Sequence, residues 1–196
     1  MLKKYEFTNE IQKIEDAFGN FHTLHRIKAL KDFGDVHKGD LGGWLEKESN
    51  LSHEGNCWVY SNAMVYGNAM VYDNAMVYDS AEVLGDAQVF GGAQVFGDAR
   101  VFVSAQVYGH AKIYDKAWVF GDAQVYDNAQ VYGGARVAGY AGVAQIYDYA
   151  WVSGKARVYG HAQVADAQVY DEAQVQGNAR VCDNSVVCGN TEVLGD

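Results

Sequence analysis

The sequence predicts an all-β chain, a coil of short parallel strands behind an N-terminal cap, on three observations. An aliphatic residue recurs at every sixth position from Val59 to Val137 without interruption. A small residue, nearly always Ala, stands two positions before each of them. Tyr or Phe usually follows the aliphatic, and the next two positions are mostly Gly, Asp, Asn or Ser. Ala, variable, Val, aromatic alternates in and out, which is the period of a strand. Gly or Asp followed by Asn or Asp is turn chemistry, because these residues accept positive φ or bond their own backbone. A strand and a corner every six residues make a coil. Its interior receives only Val, Ala and a few Ile, so it is narrow.

In chain order, residues 1–56 form the cap and residues 57–196 the repeats. The first hexads read NAMVYG, NAMVYD, NAMVYD and SAEVLG. No helical period appears in 57–196. The register breaks twice. Val137 to Ile146 spans nine residues, read as a corner enlarged at Gly139–Val143. Val164 to Val169 spans five, read as a corner shortened to Asp166 alone. Insertions belong at corners, where no ladder hydrogen bond is lost. The rival reading puts Val143 in the core. With the corner reading, 23 hexads give seven to eight coils, and a strand spacing of ~4.8 Å makes a prism roughly 37 Å long.

This pattern resembles the hexapeptide-repeat, left-handed parallel β-helix superfamily, the trimeric LpxA-like proteins. The resemblance covers about 140 residues. It implies three hexads per triangular coil, a left-handed crossover and a homotrimer. The stretch Thr23–Tyr60, TLHRIKALKDFGDVHKGDLGGWLEKESNLSHEGNCWVY, is similar to the cap of a poorly characterised bacterial and phage subfamily. Its members start with a short strand-rich segment and run into VYGNA-type repeats.

Composition narrows the class. The chain has no proline, 22 glycines and 49% apolar residues, too apolar for disorder and without a collagen period. No apolar run approaches a membrane span, and MLKKYEFTNE has no apolar signal core, so the expected location is cytoplasmic. A net charge of -10 and a pI near 4.9 argue against general nucleic-acid binding, which needs a basic surface. Three cysteines make no disulfide framework. Cys57 falls at an interior position; Cys182 and Cys188 fall outward on adjacent faces.

Three hexads per coil put every third unit on one face. The outward residue before each aliphatic then forms three columns. The first is Met70, Gln88, Gln106, Gln124, Gln145, Gln163, Arg180, a glutamine ladder with a structural role. The second is Trp58, Met76, Gln94, Lys112, Gln130, Trp151, Gln168, Val186. The third is Met64, Glu82, Arg100, Trp118, Arg136, Arg157, Gln174, Glu192, with Phe102, Phe120, Ala138 and Tyr159 beside it. Arg100, Arg136 and Arg157 are three of the four arginines in the repeats, and stacked like charges need a counter-charge. Carboxylates of a neighbouring subunit would make this strip an interface. A bound anion would make it a site with stacking surfaces, suited to a nucleotide.

The expected function is therefore a non-catalytic homotrimeric binding or scaffold protein. Its ligand is a protein partner or an anionic, nucleotide-like small molecule, as in a phage-type sequestering or inhibitory protein. Exposed aromatic ladders favour self-association, and the C-terminal coil edge offers end-to-end pairing of trimers. No cofactor or metal is expected. The alternative, implied by the resemblance, is an acyl-CoA-dependent acyltransferase with a corner histidine as general base. His161, one coil after the enlarged corner, is the candidate, with Tyr140 as its shelter and partner. His110 falls in another corner column, and His22-x-x-His25 is a weak metal spacing.

Overall fold

The computed structural model describes residues 3–16, 19–140 and 142–195. Two strands, β1 (Tyr5–Glu15) and β2 (Phe21–Ala29), form an antiparallel hairpin. β2 also pairs antiparallel with β3 (Leu41–Leu45), through His25↔Leu45 and Arg26↔Trp44. β3 then turns the sheet parallel, with Trp44↔Met64 and Leu45↔Val65. The hairpin is thus a continuation of one face of the coil that follows.

That coil is a parallel β-solenoid of about eight turns with three sheets. Eight of its strands join β1–β3 in an eleven-stranded sheet, and the other two sheets hold eight and seven strands. Partners lie 18 residues apart, as in Val83↔Val101 and Val77↔Val95, except across the register breaks, where Gln124↔Gln145 are 21 apart and Trp151↔Gln168 17. All three columns read from the sequence are reproduced. Gln106, Gln124, Gln145 and Gln163 stand in register and bond side chain to side chain at 3.1–3.4 Å. The interior is Ala and Val, with Ile113 and Ile146, nearly all fully buried.

The corners follow from residue type. Asp73, Asp79, Asp115 and Asp171 adopt positive φ, and each carboxylate accepts the N–H of the glycine one coil on, at 3.1–3.2 Å. Close approach explains the glycines: a Cβ on Gly67 would lie 3.0 Å from the Gly85 nitrogen.

Both register breaks fall at corners. Val143 is outside the buried core, and Gln124 pairs with Gln145 across the insertion. The enlargement starts one residue later than expected, because Gly139 still pairs with Gly121; Ala141 lies outside the described residues. Asp166 alone carries the left-handed turn of the short corner, with φ 46°.

The cap changes one expectation. Trp58 stands in the outward column, as read, but is 1% exposed because the cap covers it. The Tyr5 and Phe33 rings meet it edge-on at 6.2 and 5.3 Å. Lys4 is buried beside them, donating to the Cys57 carbonyl at 2.8 Å, with its Nζ 3.2 Å from the Cys57 Sγ. Burial lowers the Lys4 pKa and raises that of Cys57, since each loses solvation of its charged form.

Candidate functional site: the arginine and aromatic face

The third column supplies the side chains of interest. Parallel pairing stacks Arg100 on Trp118, Trp118 on Arg136, and Arg136 on Arg157. The arginines have different partners. Arg100 Nη2 pairs with Glu82 Oε1 at 2.7 Å, one rung below. The other oxygen of Glu82 accepts the Tyr66 hydroxyl at 3.2 Å. Burial and this carboxylate push the Tyr66 phenol upward, so it stays protonated. Arg136 lies over the Trp118 ring, 4.6 Å from its centroid, a cation–π contact. Among the described residues, no carboxylate pairs with Arg136 or Arg157.

The aromatic ladder runs beside this column. Phe102 and Phe120 stack with centroids 4.8 Å apart and planes within 3°. The next rungs are Ala138 and Tyr159. Three hollows open along the face, the middle one, about 370 Å³, lined by Asp98, Arg100, Lys116, Trp118, Gly134 and Arg136. The lower, about 330 Å³, lies between the cap hairpin and the coil, where Ile14 and Asp16 overhang Tyr66, Phe102, Arg100 and Trp118. The upper, also about 330 Å³, is bounded by Phe120, Arg136, Ala138, Tyr140, Arg157 and Tyr159, and its lining has no carboxylate.

The repeat itself is matched elsewhere. The YdcK beta solenoid repeat family matches residues 93–109. A 62-residue stretch, 30% of the chain, is 39% identical to a protein of Escherichia coli (strain K12) described as the uncharacterized acetyltransferase YdcK. That stretch spans 19% of the length of the relative. Together with the register of the three sheets, these matches support placing the chain in the hexapeptide-repeat β-helix superfamily.

In this β-helix the histidines separate. His161 is exposed at its corner, and its Nδ1 accepts the Val143 N–H at 3.4 Å. That bond leaves the proton of the neutral ring on Nε2. The ring fits because residue 142 is glycine: a Cβ there would lie 2.6 Å from His161 Cδ2. Tyr140, 60% exposed, packs edge-on against Phe120 at 5.2 Å and lines the upper hollow. The enlarged corner thus touches both His161 and the arginine face, through different residues.

His22 and His25 lie three residues apart on β2, which points them to opposite faces. His25 stacks on Phe7 at 5.1 Å. His22 has Glu46 Oε1 2.9 Å from Nδ1 and Asp16 Oδ2 3.4 Å from Nε2. Glu46 also accepts the Gly67 N–H at 2.7 Å. Burial opposes charge on His22, but the hydrogen bonds and negative field of Glu46 and Asp16 outweigh it, so its pKa is raised. Among the described residues, no group of three or more His, Cys, Asp or Glu is placed to hold a metal ion.

Sequence reasoning did not find the overhang of Ile14, Asp16 and His22 above the third face. A signal existed in the continuity of β2, β3 and the repeats, but it becomes visible only when the β3 register is known. The Glu82–Arg100 pair was legible as adjacent members of one column.

Proposed function

We propose that this β-helix is a non-catalytic, homotrimeric binding protein that captures an anionic, nucleotide-like small molecule on its third face. One observation carries the reading: Arg136 and Arg157 stand on successive rungs of a hollow with aromatic walls and no carboxylate lining. Two stacked guanidinium groups repel each other unless an anion joins them, and their planar forks suit phosphate or carboxylate oxygens. Phe120, Tyr140 and Tyr159 supply the surfaces for a ring. Trp118, Phe102 and the Arg100–Glu82 pair extend the strip toward the cap. Fold alone implies no reaction.

Acyl transfer from acyl-CoA is the second reading. It draws on the description of the Escherichia coli relative as an acetyltransferase and on the Val143–His161 bond, which fixes the histidine tautomer. In that reading the basic nitrogen of the neutral ring is Nδ1, which exchanges the Val143 N–H for the acceptor and takes its proton, and Tyr140 borders the bound nucleotide.

Calorimetry with pyrophosphate and ADP on wild type and Arg136→Glu, with native mass spectrometry of both, tests the binding reading. Binding is expected in wild type and a loss of at least tenfold in Arg136→Glu, with the oligomer intact. Dissociation of the oligomer by Arg136→Glu, or unchanged binding, overturns it. Acyl transfer abolished by His161→Ala with the oligomer retained would establish the second reading instead.

A further inference from the structure

The residue after each interior aliphatic builds a ladder of rings outside the coil. Tyr72, Phe90, Tyr108, Tyr126 and Tyr147 stack with centroids 4.8–5.1 Å apart and planes within 8°. Tyr78, Phe96, Tyr114 and Tyr132 do the same at 4.7–4.9 Å. Rings stacked along the coil axis turn their edges to solvent, and each inner face is covered by the neighbouring rung. A ladder offers a ring face only where a rung is missing.

The third ladder has such a gap. It runs Phe102, Phe120, Ala138, Tyr159 by register. Tyr159 keeps the ladder orientation. Its hydroxyl donates to Gln174 one coil on, as Tyr72 donates to Gln88 and Tyr114 to Gln130. Phe120 and Tyr159 therefore bracket Ala138 at two strand spacings, about 9.6 Å. One planar ring between them restores a ladder distance on both sides. Tyr140 does not fill that role: its plane is 70° from that of Phe120, so it forms a side wall. The hollow at the gap contains Arg136 and Arg157.

We propose that the gap at Ala138 is an intercalation slot. It takes one planar aromatic ring, parallel to Phe120 and Tyr159, on a ligand whose anionic group lies on Arg136 and Arg157. The slot rests on the anion-capture reading above and adds a requirement for planarity. A phosphate on a saturated ring satisfies the arginines but cannot enter a space one ring thick. A second gap provides an internal control. Ser153 separates Tyr132 from Tyr170 in another ladder, over a hollow of about 290 Å³ whose lining has no arginine. Filling that gap leaves the arginine slot open.

Titrations of the full chain with phenyl phosphate, cyclohexyl phosphate and pyrophosphate test the slot. Phenyl phosphate is expected to bind wild type at least tenfold more tightly than cyclohexyl phosphate. Ala138→Phe supplies the missing rung, so it should abolish that preference while pyrophosphate binding persists. Ser153→Phe should behave as wild type. Circular dichroism checks the fold of each variant, and Ala138→Leu provides the same filling if Ala138→Phe fails to fold. Equal affinity for the two ring phosphates, or a preference retained when Ala138 is filled, overturns the slot and leaves anion capture standing. Failure of pyrophosphate and phenyl phosphate alike to bind wild type overturns both.

Discussion

Val103 occupies a corner position where its neighbours along the stack are Gly67, Gly85 and Gly121, with φ of 66°, 70° and 67°. Its own φ is 64°, a conformation that penalises a β-branched residue because a γ branch crowds the backbone. The left-handed region costs an L-residue ~1–2 kcal/mol, and valine belongs at the upper end. Asparagine tolerates that region, so Val103→Asn should recover about 2 kcal/mol of strain. Valine here is 40% exposed, and losing its remaining burial costs about 1 kcal/mol. The net gain is about 1 kcal/mol, a rise in melting temperature of roughly 2–4 °C for a chain of this size. Gly85→Val is the converse. It imposes the same strain and places a Cβ 3.0 Å from the Val103 nitrogen, so it should melt well below wild type. Thermal melts followed by circular dichroism measure both. A Val103→Asn variant that melts at or below wild type refutes the strain argument.

His22 should confer a pH-dependent stability. Its folded pKa is raised above the ordinary 6.5, so its contribution is complete below that value and is lost as pH rises through the folded pKa. His22→Ala should therefore cost more at pH 5.5 than at pH 8.5, by about 1–2 kcal/mol for hydrogen bonds to charged groups at a partly exposed site; equal losses at both pH values would exclude a charged pairing of His22 with Glu46 and Asp16. Sedimentation at micromolar concentration should give about three times 21.5 kDa, and a clean monomer would remove the trimer from the proposed function.

The repeat made most of the fold legible, because one hexad specifies an interior pair, a face and a corner at once. The columns of Arg100, Trp118, Arg136 and Arg157 and of the glutamines followed from counting in sixes. What counting could not supply was coverage. Trp58 has an outward place in its strand, yet the cap buries it, and period two says nothing about what lies above a sheet. Lys4 gave no hint of burial, since lysine is fully buried only with partners, and its partners, Cys57 and Glu54, are more than 49 residues away. The counter-charge of Arg100 was readable one rung away at Glu82. The gap at Ala138 was also written in the sequence, as Phe120, Ala138, Tyr159. Its meaning needed the observation that the neighbouring rings stack face to face.

The short separation between paired strands of the coil, 18 residues except across the two register breaks, bears on how the chain acquires its shape. Parallel sheets are ordinarily slow to form, because distant segments must meet before any contact repays the loss of chain freedom. Here each new strand has its template only one coil back. Against 196 residues, a separation of 18 corresponds to a relative contact order of about 0.09, in the range of fast-folding helical bundles. β3, paired to the hairpin on one edge and to Met64–Val65 on the other, offers the first edge on which coils can add. Assembly then resembles chain growth from a primer, each turn creating the acceptor for the next. Mutations near the cap should slow initiation, whereas those in late coils should mainly speed fraying.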